Sequence, residues 1–123
     1  MEELKLSDKE WLVLGVLWDS GGGTLGAITQ ALYGRTGWSR NTVLTYLTRM
    51  EAKGLVTMEE TNYPRVYRAA LDRETCQAKA RGSFLTQVYR GAAGDLVAAF
   101  LKENPITAEE RDRLRKLLDD MEV

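Results

Sequence analysis

Apolar positions along this chain recur mostly at steps of three and four, the period of amphipathic helices, with one short interval of alternation. The first helix announces itself in Leu6-Ser7-Asp8-Lys9-Glu10-Trp11. Ser7 and Glu10 stand at capping-box spacing, and Leu6 and Trp11 occupy the positions of a hydrophobic staple. This helix is expected to continue through Leu14 to Trp18, largely buried because its apolar residues lie on more than one side, and to end in the flexible turn Asp19-Ser20-Gly21-Gly22-Gly23. Thr24-Leu25 is read as a short strand pair. A second helix over roughly Gly26 to Tyr33 turns Ile28 and Leu32 inward, and Gly34-Arg35-Thr36-Gly37 turns the chain. The stretch from Trp38 to Gly54 is a third helix: Ser39 caps its start, Gly54 stops it, and Val43, Leu47 and Met50 share one face. Trp38 is expected to pack against the second helix. Two helices joined by a short glycine-containing turn make a helix-turn-helix.

Alternation replaces the helical period after Gly54. Leu55-Val56-Thr57-Met58-Glu59-Glu60 and Arg65-Val66-Tyr67-Arg68-Ala69-Ala70 flank the turn Thr61-Asn62-Tyr63-Pro64, the signature of a β-hairpin. Val66 alternates with Arg65 and Tyr67, which places Val66 on the buried side and the other two on the solvated side. A hairpin directly behind such a helix is a wing, with Arg65 its foremost phosphate contact.

From Asp72 onward the pattern is helical again. One helix over about Asp72 to Tyr89 carries Phe84, Leu85, Val88 and Tyr89 on one side, and Gly91-Ala92-Ala93-Gly94 breaks it. A second carries Leu96, Val97, Phe100 and Leu101 up to Asn104-Pro105. The last opens on the capping box Thr107–Glu110 and spaces Leu114, Leu117, Leu118 and Met121 at i, i+3, i+4, i+7. Three helices of this length cannot bury such stripes on one another alone, so a partner chain is the simplest cover. The expected class is therefore mainly α with a small β-hairpin wing: a winged helix-turn-helix domain over 1–71 and a helical dimerisation domain over 72–123.

Charge and composition narrow the chemistry. The 123 residues carry a net charge of −1, yet between Arg35 and Arg68 the cations Arg35, Arg40, Arg49, Lys53, Arg65 and Arg68 outnumber Glu51, Glu59 and Glu60. The third helix shows Asn41, Thr42, Thr45, Tyr46 and Arg49 opposite its apolar face. Short hydrogen-bonding side chains with flanking arginines suit base edges and phosphates better than they suit plain solvent exposure. The chain has no histidine and one cysteine, Cys76. Histidine catalysis, His-ligated metal sites and intramolecular disulfides are thereby removed, and no catalytic residues, metal or cofactor are expected. The free thiol fits a reducing cytosol, with Cys76 read as an inert core residue. The glycine triplet lacks the Lys-Ser/Thr of a phosphate-binding loop. With neither an apolar leader nor a run of membrane-spanning length, the protein is expected to be soluble and cytoplasmic.

The segments L-S-D-K-E-W-L-V-L-G-V-L-W, W-S-R-N-T-V-L-T-Y-L-T-R-M-E-A-K-G, Y-P-R-V-Y-R-A and S-F-L-T-Q-V-Y-R-G, in that order and at that spacing, resemble the penicillinase repressor (BlaI/MecI/CopY-like) family from Leu6 to about Leu118. The resemblance implies a homodimeric transcriptional repressor on an inverted-repeat operator, because a two-fold dimer presents identical helices to two half-sites. By position, Ser39, Arg40, Asn41, Thr42, Thr45, Tyr46 and Arg49 would face the DNA. Thr42 and Thr45 would read bases, and Arg40 and Arg65 would pair with phosphate. Relatives often carry proline and lysine where Arg40 and Asn41 stand here. In the beta-lactam branch a membrane sensor triggers proteolysis at an Asn-Phe bond; the corresponding bond here is Ala99–Phe100, with alanine in place of the asparagine. The clustered cysteines of the copper-responsive branch are absent. The alternative function is a winged-helix regulator released by a small-molecule ligand.

Overall fold

The structure, a computed structural model, describes residues 4–60 and 63–123. Its elements run α1 (Asp8–Ser20), α2 (Leu25–Thr36), α3 (Arg40–Ala52), β1 (Val56–Glu59), β2 (Val66–Ala69), α4 (Arg73–Tyr89), α5 (Ala93–Glu103) and α6 (Ala108–Asp119). The chain forms two compact units, Met1–Arg81 and Gly82–Val123. The architecture is mainly helical with a two-stranded antiparallel hairpin.

Each helix of the first unit starts on a side-chain cap. Ser7 accepts from the Glu10 amide while the Glu10 carboxylate accepts from the Ser7 amide, closing the capping box. Thr24 caps α2 through the Ala27 amide, and Ser39 caps α3 through the Thr42 amide. The expectation of a strand at Thr24-Leu25 is corrected here. Thr24 is the cap of α2 and Leu25 its first residue, and the strand-like residue is Gly23, which exchanges two backbone hydrogen bonds with Tyr67 at 2.9 and 2.8 Å. Gly22 makes this close approach feasible, since its φ is 118° and a Cβ there would lie 2.8 Å from Arg68 Cγ. The second helix also runs further than expected, through the anticipated turn to Thr36, before Gly37 closes it in the left-handed conformation.

Val13, Leu14, Leu17, Ile28, Leu32, Val43, Leu47, Met50, Leu55, Val56 and Tyr67 form one core. In the hairpin the expected alternation is inverted. Val56 pairs with Ala69 and Met58 with Tyr67, so these four share the inner face; Tyr67 is 4 % exposed and Val66 only half-buried. Tyr67 joins the core that holds Val13, Leu14 and Leu17 of α1, and Val66 stays outside it. The Tyr63–Pro64 peptide is cis; Thr61 and Asn62, the first half of the expected turn, lie outside the described residues.

Behind the hairpin, Trp18 Nε1–H donates to the Leu71 carbonyl at 2.9 Å, and the Arg73 guanidinium lies 5.5 Å from the Trp18 ring centre while pairing with Asp19. Cys76 is fully buried, and burial is the main cause that pushes its thiol above the ordinary range. As expected of a core cysteine, it has little thiolate to offer an oxidant.

The second unit has no buried residue among those described. Thr107 and Glu110 form the expected capping box of α6, whereas α5 starts at Ala92 without a side-chain cap. Met121 falls two residues past the end of α6, so the expected four-residue stripe ends with Leu118 as far as the helix is concerned.

Candidate nucleic-acid interface

Helix α3 is held from beneath by Val43, Leu47 and Met50, each fully buried. Its C-terminal end is tied down by Lys53 Nζ, which donates to Glu10 Oε2 at 2.8 Å. Burial raises the affinity of the Glu10 carboxyl for a proton, but the Lys53 ammonium and the Ser7 groups outweigh it and hold the carboxyl below its ordinary value. These anchors leave the opposite side of α3 free of packing duties.

The structure separates the expected contact residues into three groups. Asn41, Thr45 and Arg49 are exposed on the outer face. Ser39 and Thr42 are engaged in the cap: the Ser39 hydroxyl accepts from the Thr42 amide at 3.3 Å and lies 3.2 Å from the Thr42 hydroxyl. Tyr46 is half-buried, its ring stacked on Trp38 at a centroid distance of 4.5 Å and an interplanar angle of 11°. Trp38 also lies against the core to which α2 contributes Ile28 and Leu32. Its indole braces the second turn of α3, while its amide donates to the Thr36 hydroxyl at the end of α2.

Arg40 and Arg65, far apart in sequence, line one cleft of about 390 Å³ between the start of α2, the start of α3 and the hairpin; Thr24, Leu44, Tyr63 and Tyr67 also line it. Two of the six cations counted in the sequence are neutralised by partners, Lys53 by Glu10 and Arg68 by Glu59. Arg35, Arg40, Arg49 and Arg65 have no acidic partner among the described residues; Arg40 and Arg49 stand on α3, Arg65 at the turn end of the hairpin and Arg35 at the end of α2. Beside Asn41 and Thr45, sequence reasoning missed the exposed Leu44 and Thr48 of α3. Leucine in a helix reads as core by default; only its angular distance from Val43, Leu47 and Met50 could have flagged it.

A capped, well-anchored helix with a polar outer face, followed by a hairpin that carries Arg65 at its turn end, defines a winged helix-turn-helix protein. The family model described as penicillinase repressor matches residues 6–120. The chain belongs to the penicillinase repressor family of DNA-binding transcriptional repressors. It is 24 % identical over 115 residues to the methicillin resistance regulatory protein MecI of Staphylococcus aureus, covering 94 % of each chain. It is 26 % identical over 116 residues to the penicillinase repressor of Bacillus licheniformis, covering 94 % of this chain and 91 % of that one. Among solved structures it resembles the monomeric form of Bacillus licheniformis BlaI in complex with the blaP half-operator, with a TM-score of 0.53 and 25 % identity over 59 % of this chain and 89 % of that one. No helix among the described residues is long and apolar enough to cross a membrane.

Proposed function

We propose that the protein represses transcription as a homodimer, each subunit laying α3 in the major groove of one half of an inverted-repeat operator. The observation that carries this reading is the convergence of unpaired arginines and exposed Asn41, Thr45 and Arg49 around one anchored helix. Asn41, Thr45 and Arg49 meet base edges. Arg40 and Arg65, which line one cleft, grip backbone phosphate and fix the helix in register. Ser39 and Thr42 shape the helix start, and Tyr46 stacked on Trp38 keeps it at its angle.

The dimer is formed by the C-terminal helices. Phe84, Val88, Val97, Phe100, Leu101, Leu117 and Leu118 are exposed there, with Leu85, Tyr89, Leu96 and Leu114 half-buried and Met121 beyond α6. An apolar surface on this scale is costly in water and is met in proteins that associate. Two subunits then add their affinities on one operator, which a single near-neutral protein could not hold tightly.

Relief by a membrane sensor protease belongs to the same family-based reading. Ala99–Phe100 sits in the middle of α5, so cleavage there requires that helix to open first. With no side-chain cap and Gly94 in its first turn, α5 is poorly secured at its start. Nuclease protection on inverted-repeat DNA, read together with sedimentation of the free protein, tests the proposal. A protected repeat, a dimer in solution and binding that falls steeply with salt are expected. If Thr45→Ala and Arg49→Ala bound as tightly as the parent, α3 would not be the recognition helix.

A further inference from the structure

The polar face that the sequence presents on α3 is not one open surface. Thr42 and Tyr46, on one flank, are occupied by the cap and by the Trp38 ring. What α3 leaves open is the adjoining strip of Asn41, Leu44, Thr45 and Thr48, all exposed and spaced i, i+3, i+4, i+7. A helix lying in a major groove offers a strip of this spacing to successive base pairs.

We infer that this strip, with Arg49 at its edge, is the base-reading face of α3, and that its Leu44 selects a thymine by contact with the C5 methyl group. The inference rests on the reading of α3 as the recognition helix and adds Leu44 and Thr48 as specificity determinants. Leu44 is 37 % exposed, takes no part in the core and lines the cleft that holds Arg40 and Arg65. Leucine cannot pair with phosphate. The thymine methyl is the apolar group that base pairs present in the major groove, and an apolar side chain that shares its cleft with two phosphate-seeking arginines is placed to meet it. The hydroxyls of the strip divide the remaining work. Thr45 Oγ1–H donates to the Asn41 carbonyl at 3.0 Å, which commits its proton and leaves its methyl and lone pairs for the groove. Thr48 makes no side-chain hydrogen bond with the described residues, so its hydroxyl can donate to a base acceptor.

Operator sequences selected from random DNA by the full-length protein supply the test, with each thymine of the half-site then replaced by uracil. This exchange removes one methyl group and keeps base pairing. At one position uracil weakens binding by about three- to fivefold, the worth of one buried methyl group. The penalty disappears in Leu44→Ala, and Leu44→Gln no longer prefers thymine there. Thr48→Val changes the selected base at a second position, while Thr42→Val selects the parent's sequence. Tryptophan fluorescence melts and affinity for random DNA confirm that each variant is folded. Uracil tolerated at every position, a penalty undiminished in Leu44→Ala, or a preference moved by Thr42→Val but not by Leu44→Ala would overturn the assignment while leaving α3 as recognition helix. Failure of the parent to select any sequence would overturn both.

Discussion

The two units bury their apolar residues to very different extents. In Met1–Arg81 the residues of the core are no more than 5 % exposed, and three helices and a hairpin close over them. In Gly82–Val123 the helices are just as amphipathic in sequence, yet Leu117 is 62 % and Phe100 is 55 % exposed. The difference lies in what each stripe can reach. Helices α1, α2 and α3 are joined by short turns and receive a hairpin under their open side, so each stripe finds cover within the same chain. Two helices and the end of α4 enclose too little volume for that, and their stripes stay exposed.

The sharpest way to break the contrast is to charge the uncovered stripe. The double variant Leu117→Asp and Leu118→Asp is expected to be monomeric by sedimentation and to lose about 10²- to 10⁴-fold in operator affinity, the range that bivalent attachment adds. Its tryptophan melt should stay at the parent's temperature, because Trp11, Trp18 and Trp38 all lie in the first unit. Leu47→Ala works from the other side. Emptying a fully buried position should cost about 2–5 kcal/mol in denaturant unfolding followed by tryptophan fluorescence.

A smaller loss, about 1–3 kcal/mol, is expected for Gly22→Ala, where a Cβ would meet Arg68 and a positive φ adds strain. The same variant should loosen the Gly23–Tyr67 pairing, visible as faster amide exchange at Tyr67. Glu10→Gln should have the smallest effect, on the order of 1 kcal/mol, because its Lys53 partner is half-exposed. The Glu10 carboxyl is held below its ordinary value in the folded protein, so its contribution is present above the ordinary carboxylate range and fades as pH falls through it. Parent and variant stabilities should therefore differ at pH 7 and converge in acid.

Legibility in the sequence was uneven for physical reasons. Helix starts were readable because a cap is a local contract between residues three apart, as at Ser7–Glu10, Thr107–Glu110 and Ser39–Thr42. The hairpin was readable in its existence but not in its facing. Val66 and Tyr67 are both strand formers, and the choice between them depended on packing with α1, which lies far away in sequence. Gly23 carried no strand signal; its two hydrogen bonds exist because Tyr67 is brought alongside it. On α3 the polar composition pointed to DNA, but membership of the open face was settled by neighbours: Trp38 claimed Tyr46, and the cap claimed Thr42.

By itself, then, the sequence determined the helical periods, the caps at Ser7, Ser39 and Thr107 and the polar nature of α3, since all of these arise from residues within about one turn of each other. Only the tertiary structure decided that Arg40 and Arg65 share a cleft, that Lys53 and Arg68 are already paired, and that Leu44 stands in the open beside them. Those outcomes depend on packing between segments that local propensity does not connect. They determine which side chains of α3 are left exposed.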